Sequence, residues 1–145
     1  MESSFGEFTV NDSDEKIDMD VVHHELSNSY WCKNIPRALL EKAVKGSINF
    51  NVYHGEKQVA FARVITDRAT FAYLCDVIVN EKYRGKGIGK GMMKFIMEHP
   101  DLQGLRRFTL ATRDAHTLYT QFGFEVTKNP QNMMEIIKRD LYLEQ

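Results

Sequence analysis

Cysteine is scarce in this chain, and the little there is stands apart. Cys32 and Cys75 are the only two among 145 residues. They form no C-x-x-C pair and cannot define a disulfide framework, so a reducing, cytoplasmic setting is the expectation. No apolar run approaches the roughly 20 residues that a membrane-spanning helix needs, and the opening MESSFGEFTVNDSDEK lacks the layout of a signal peptide. Neither sign of charge dominates. Nineteen Lys and Arg against twenty Asp and Glu leave −1, which argues against a surface built for nucleic acid. Repeats, low-complexity tracts and linkers are missing, and His23 and His24 are adjacent without the ordered partners a metal site requires. What is present is 43% hydrophobic and 27% charged residues, a globular composition. The length suits one domain able to bury about two thirds of its unfolded surface, so residues 1–145 are read as a single domain.

Periodicity orders the elements. Phe5 to Val10 reads as a short β piece, broken by the Asn11–Asp14 cluster. Ile17, Val21, Val22 and Leu26 give a first helix. Ser27 to Asn34, polar but carrying Tyr30 and Trp31, reads as a loop. Pro36 opens a second helix and Gly46 stops it. The period then becomes two: strands at 49–54, 58–66 and 70–79, the last the most apolar and expected to be buried on both faces. A basic loop, 80–87, leads into a helix carrying Ile88, Met92, Phe95 and Ile96. A strand at 107–111, a short helix around Ala115 to Phe122, and strands near 124–127 and 133–137 complete the order. This is an α+β (mixed α/β) domain with a mostly antiparallel sheet of six to seven strands.

The stretch Arg84-Gly85-Lys86-Gly87-Ile88-Gly89-Lys90-Gly91 carries the most chemistry. Glycine at every second position admits positive φ and close approach of backbone to a ligand. The helix start adds unpaired N–H groups and the positive end of its dipole. Together they make an anion site, above all for phosphate. Lys82, Arg84, Lys86 and Lys90 against Glu81 leave residues 80–90 at +3. The P-loop pattern fails because Gly91 follows Gly89-Lys90 where a Ser or Thr should stand. The dinucleotide G-x-G-x-x-G fails because Lys90 and Met92 occupy its third slot.

Arg84 to Gly89 resembles instead the Arg/Gln-x-x-Gly-x-Gly/Ala motif of the GNAT (Gcn5-related N-acetyltransferase) superfamily. Ala115-His116-Thr117-Leu118-Tyr119-Thr120-Gln121-Phe122-Gly123-Phe124 is similar to that family's A-x-x-L-Y-x-x-x-G-F segment, in the expected order and separation. The resemblance implies a splayed strand pair that holds acetyl-CoA, with coenzyme A as product. The amides from Arg84 through Gly85, Lys86, Gly87, Ile88 and Gly89 are expected to bind pyrophosphate. Main-chain groups of Val77, Ile78 and Val79 are expected to pair with the pantetheine arm as an added strand. The acceptor is expected to be a small-molecule or peptide amine, with no nucleic acid, membrane or metal involved. Dimers are common in the family, so a homodimer is a further expectation.

Within that framework Tyr119 resembles the family's general acid toward the departing thiolate, although its stripe with Ala115, Leu118 and Phe122 also suits simple packing. Asp76 interrupts an apolar strand. It is either a general base raised by desolvation or an internal partner for Arg113, His116 or a backbone amide. Relatives carry their basic glutamate at the position of Tyr73, and often an Asn where Thr112 stands; both are departures. Tyr30 and Trp31 lie where the family builds its acceptor pocket, offering recognition or cation–π contact. Neither cysteine sits in a motif for an acyl-enzyme, so direct transfer in a ternary complex is expected. A non-catalytic acyl-CoA-binding regulatory module is the other reading.

Overall fold

The computed structural model describes residues 1–143. Six strands follow one another in space as they do in sequence: β1 (Glu2–Phe5), β2 (Phe8–Asn11), β3 (Ile48–His54), β4 (Lys57–Thr66), β5 (Phe71–Val79) and β6 (Arg107–Leu110). Neighbours are antiparallel except β5 and β6, which run parallel because the chain crosses over through α3 (Ile88–Met97). Helices α1 (Met19–Ser27) and α2 (Arg37–Lys45) cover the other face, and α4 (His116–Thr120) follows β6. The architecture is the mixed α+β sheet with helices on both faces that the sequence pattern predicts.

The period-two pattern sorts the core. Ile48, Phe50 and Val52 of β3 and Ala60, Ala62 and Val64 of β4 pack with Met92, Phe95 and Ile96 of α3. Phe61 and the half-buried Ile78 turn the other way, onto Val22 and Leu26 of α1 and Leu40 and Val44 of α2. The second face also carries buried amides. Gln58 donates to Asn51 Oδ1 at 2.9 Å and accepts from the Asp18 amide, at the start of α1, at 2.8 Å. Asn51 donates in turn to Asn11 Oδ1 at 3.2 Å. This ladder ties the entry of α1 to β2, β3 and β4.

Three expectations are corrected. The β piece at Phe5–Val10 is a hairpin, turning at Gly6 (φ +56°) between β1 and β2; glycine there is the turn signal. The segments 124–127 and 133–137 are not strands. Pro130 to Asn132 forms one turn of 3₁₀ helix, and Met134 and Ile136 are 95% and 96% exposed. Apolar composition marks a strand only where a ladder partner accepts its backbone, and this short run finds none. Finally, β5 is not buried on both faces: only Ala72 and Leu74 are buried, in the core shared with α3, while Phe71 is 41% exposed although β6 pairs with it.

Replacing Gln58 by Leu keeps the volume but strands the Asp18 N–H and the Asn51 carbonyl. We expect a loss of about 3 kcal/mol, seen as a lower urea midpoint with an unchanged m-value.

Candidate active site

The site begins where β5 leaves its neighbours. The last β5–β6 pair is Leu74 with Leu110, whereas β5 continues to Val79. From there on, the β6-side edge of Val77, Ile78 and Val79 has no strand beside it among the described residues. On the opposite side, β4 and β5 stay paired, but the register slips: Phe61 opposes Ile78 and Arg63 opposes Cys75. One extra residue on β5 makes a bulge, and Asp76 takes it up at φ +53°, a left-handed conformation that Asp tolerates better than most residues.

Asp76 is held on both oxygens. Arg63 Nε donates to Oδ2 at 2.8 Å, and the Trp31 indole N–H donates to Oδ1 at 2.9 Å. Both side chains of the ion pair are well covered, 15% exposed for Arg63 and 8% for Asp76. Of the two readings of Asp76, this geometry supports pairing. Its partner is Arg63, not Arg113, His116 or a backbone amide. The signal was a lone cation inside the apolar run Val59-Ala-Phe-Ala-Arg63-Val-Ile65, which cannot be buried without an acid. Trp31 anchored in this way sits edge-on to Tyr30, ring centres 5.0 Å apart, and the Arg113 guanidinium lies 3.8 Å over the Tyr30 ring.

A cavity of about 730 Å³ runs along this edge, lined among others by Trp31, Val77, Ile78, Val79 and Arg84, together with His24 of α1 and Asn28 just after it. The α1 contribution carried no sequence signal. Beyond Val79, Asn80 caps a 3₁₀ turn by accepting from the Lys82 amide at 2.9 Å. Gly85 and Gly87 both take φ +79°. Among the described residues, the six consecutive amides from Gly85 to Lys90 donate to no protein group; the first hydrogen bond of α3 is Gly91 N–H to Gly87 C=O, 3.0 Å. Left-handed residues alternating with Lys86 and followed by a helix start make a nest of N–H groups suited to an anion. The Lys86 ammonium lies 5.9 Å from the centre of the Tyr83 ring, leaning back over the loop.

Tyr119 lies on α4, outside the cavity lining, buried and edge-on to Phe124. Burial, with a smaller contribution from Asp114, lifts its phenol above the usual range, so the group keeps its proton. The Thr112 hydroxyl is spent on the turn before α4, accepting from the Ala115 amide at 3.0 Å, and His116 is exposed. Burial pushes the thiols of Cys32 and Cys75 up to about 11 and about 12, which leaves neither as a ready nucleophile. No cluster of metal-ligating side chains and no helix long and apolar enough to cross a membrane occurs among the described residues.

Comparison with known proteins agrees with this arrangement. The sequence model of the acetyltransferase (GNAT) domain matches residues 45–126. A crystal structure from Xanthomonas campestris pv. campestris, described as a GNAT-family acetyltransferase, is 46% identical. The match covers 96% of this chain and 99% of that one, with a TM-score of 0.92. A Gibberella zeae protein, itself named only as a candidate acetyltransferase, is 29% identical over 137 residues, covering 79% of this chain and 76% of its own length. The ribosomal-protein-S18-alanine N-acetyltransferase of Escherichia coli is 18% identical with a TM-score of 0.66, covering 83% of this chain and 79% of that one; that likeness is one of fold alone.

If Asp76 is a pairing residue, Asp76→Ala strands the Arg63 charge. Stability should fall by about 3 kcal/mol, and the emission of Trp31, the sole tryptophan, should shift red as its indole loses its anchor. A variant of unchanged stability and emission but collapsed turnover would return Asp76 to the role of base.

Proposed function

The chain belongs to the acetyltransferase (GNAT) family, and on that premise we propose that it transfers an acetyl group from acetyl-CoA to a primary amine in a single ternary complex. One observation carries the reading. Six unpartnered amides on glycine-rich backbone stand at the end of a strand whose Val77–Val79 edge is free and lines a cavity. A pyrophosphate fits the first feature, and an amide-bearing chain such as pantetheine fits the second. The residues present therefore fit acetyl-CoA, which when bound supplies the activated thioester.

The protein's own share is positional and electrostatic. Gly85 to Gly89 receive the pyrophosphate through main-chain N–H groups, Arg84 and Lys86 add charge, and Ile88, the first residue of α3, closes the turn by burying its side chain in the core. Val77 to Val79 align the arm so that the acetyl group arrives at the bulge, where the neighbouring loops converge. Tyr119, kept protonated by burial, hands its proton to the departing sulfur. Asp76 fixes Trp31, and through it Tyr30, at the acceptor side; the amine loses its proton to solvent. With both thiols protonated, attack by the amine on the thioester is direct, with no acyl-enzyme.

Free-thiol release from acetyl-CoA across an amine panel tests the proposal. Tyr119→Phe should lower turnover about 100-fold at unchanged acetyl-CoA affinity. Gly87→Asp, which forces a carboxylate among the amides and a side chain onto φ +79°, should abolish that affinity. A protein that binds coenzyme A but releases no thiol with any amine is the regulatory module instead.

The pH dependence has a definite sign. The acid works only while protonated, and its folded pKa is raised above the usual value of about 10. Loss of this proton therefore limits turnover only above about pH 10. An alkaline fall that persists unchanged in Tyr119→Phe would overturn the assignment of the acid.

A further inference from the structure

The aromatic pair at the acceptor side does not present itself to a cation. One face of Tyr30 is already taken: at 3.8 Å from the ring centre, the Arg113 guanidinium has room only to lie flat against it. A stacked guanidinium keeps its in-plane N–H fork for another partner. No carboxylate in the described residues supplies one. The ion pairs of the protein leave Arg113 out, including its neighbour Asp114 and the cavity-lining Glu25.

The stack is also braced from beneath. Arg63 holds Asp76, Asp76 holds the Trp31 indole, Trp31 meets Tyr30 edge-on, and Tyr30 carries Arg113. This chain starts at the bulge of β5, just past the last β5–β6 pair, and finishes on the loop between β6 and α4. Trp31 in its middle lines the cavity in which the transfer is proposed, and the exposed, oriented Arg113 cation is stacked on the adjoining Tyr30. A polyamine acceptor would be repelled by that charge. An oxyanion would find a planar donor of matching geometry.

We infer that Arg113 is a specificity-determining residue, and that the acceptor is an amine bearing an oxyanion, carboxylate or phosphate, which the Tyr30-stacked guanidinium binds. The inference rests on the acyl-transfer reading and narrows its substrate class. The amine is acetylated while the oxyanion, taking no part in bond-making, stays on Arg113.

Binding of acetylated products tests it without turnover. They contain no titrating amine, so within each pair only the oxyanion differs. With coenzyme A saturating, the full chain is titrated with N-acetyl-leucine against N-acetyl-leucinamide, and with N-acetylglucosamine phosphate against N-acetylglucosamine. Trp31 emission is the signal. At least one charged probe should bind about tenfold tighter than its neutral twin, and the pair that responds identifies carboxylate or phosphate. The preference should vanish in Arg113→Ala, survive in part in Arg113→Lys, and weaken in Tyr30→Leu, all with unchanged affinity for coenzyme A.

Equal binding within both pairs, silence from all four probes, or a preference that persists in Arg113→Ala overturns the inference. So does a loss of coenzyme A affinity in Arg113→Ala, which would assign the cation to the cofactor. Failure of the acyl-transfer reading shows separately, as absent thiol release by the unaltered protein across the amine panel.

Discussion

Arg63 and Asp76 face each other across β4 and β5 where the sheet changes character, and much of the site hangs on that ion pair. The extra residue in β5 would otherwise be a defect, a left-handed kink inside an apolar strand. Paired to a guanidinium on the neighbouring strand, it becomes a fixed corner. On one side of it the sheet is closed by β6; on the other the β5 edge lies open as far as Val79. Removing two charges from water is costly and pays back little in net stability. What the pair secures here is geometry: it sets the bulge, and through Trp31 it sets the loop between α1 and α2.

The two halves of the site use different physics. At the glycine loop the donors are main-chain amides, held in place by φ values of +79° at Gly85 and Gly87 and by the start of α3. Such a cradle suits an anion with little help from side chains, and Lys86 leans over Tyr83 without disturbing it. At the acceptor side every proposed contact is a side chain braced by another side chain. The first half suits a constant ligand; the second is where a change of one residue changes specificity.

Much of the frame was legible from periodicity alone. The switch from helical spacing to alternation at Asn49, the glycine stop after α2, and the glycine run before α3 are local signals, because each depends on backbone geometry within a few residues. The β1–β2 turn was missed although Gly6 marked it. The run Met133 to Ile137 misled for the converse reason: it has the composition of a strand, but strand formation requires hydrogen bonds that only another segment supplies. The extent of exposure along β5 was equally invisible, since it follows from which of its side chains other segments cover.

The sequence by itself therefore determined most of the elements, their order and the glycine-rich turn before α3, all of them properties of contiguous residues. Tertiary structure alone decided that Asp76 belongs to Arg63 and Trp31, that Thr112 serves a turn, and that Arg113 lies on Tyr30. Those partners stand 13, 45, 3 and 83 positions apart respectively. Only the Thr112 contact lies within reach of local patterning. For the others the partner is set by sheet register and by a bulge, so a charge or an aromatic in the sequence signals that it needs a partner without saying which.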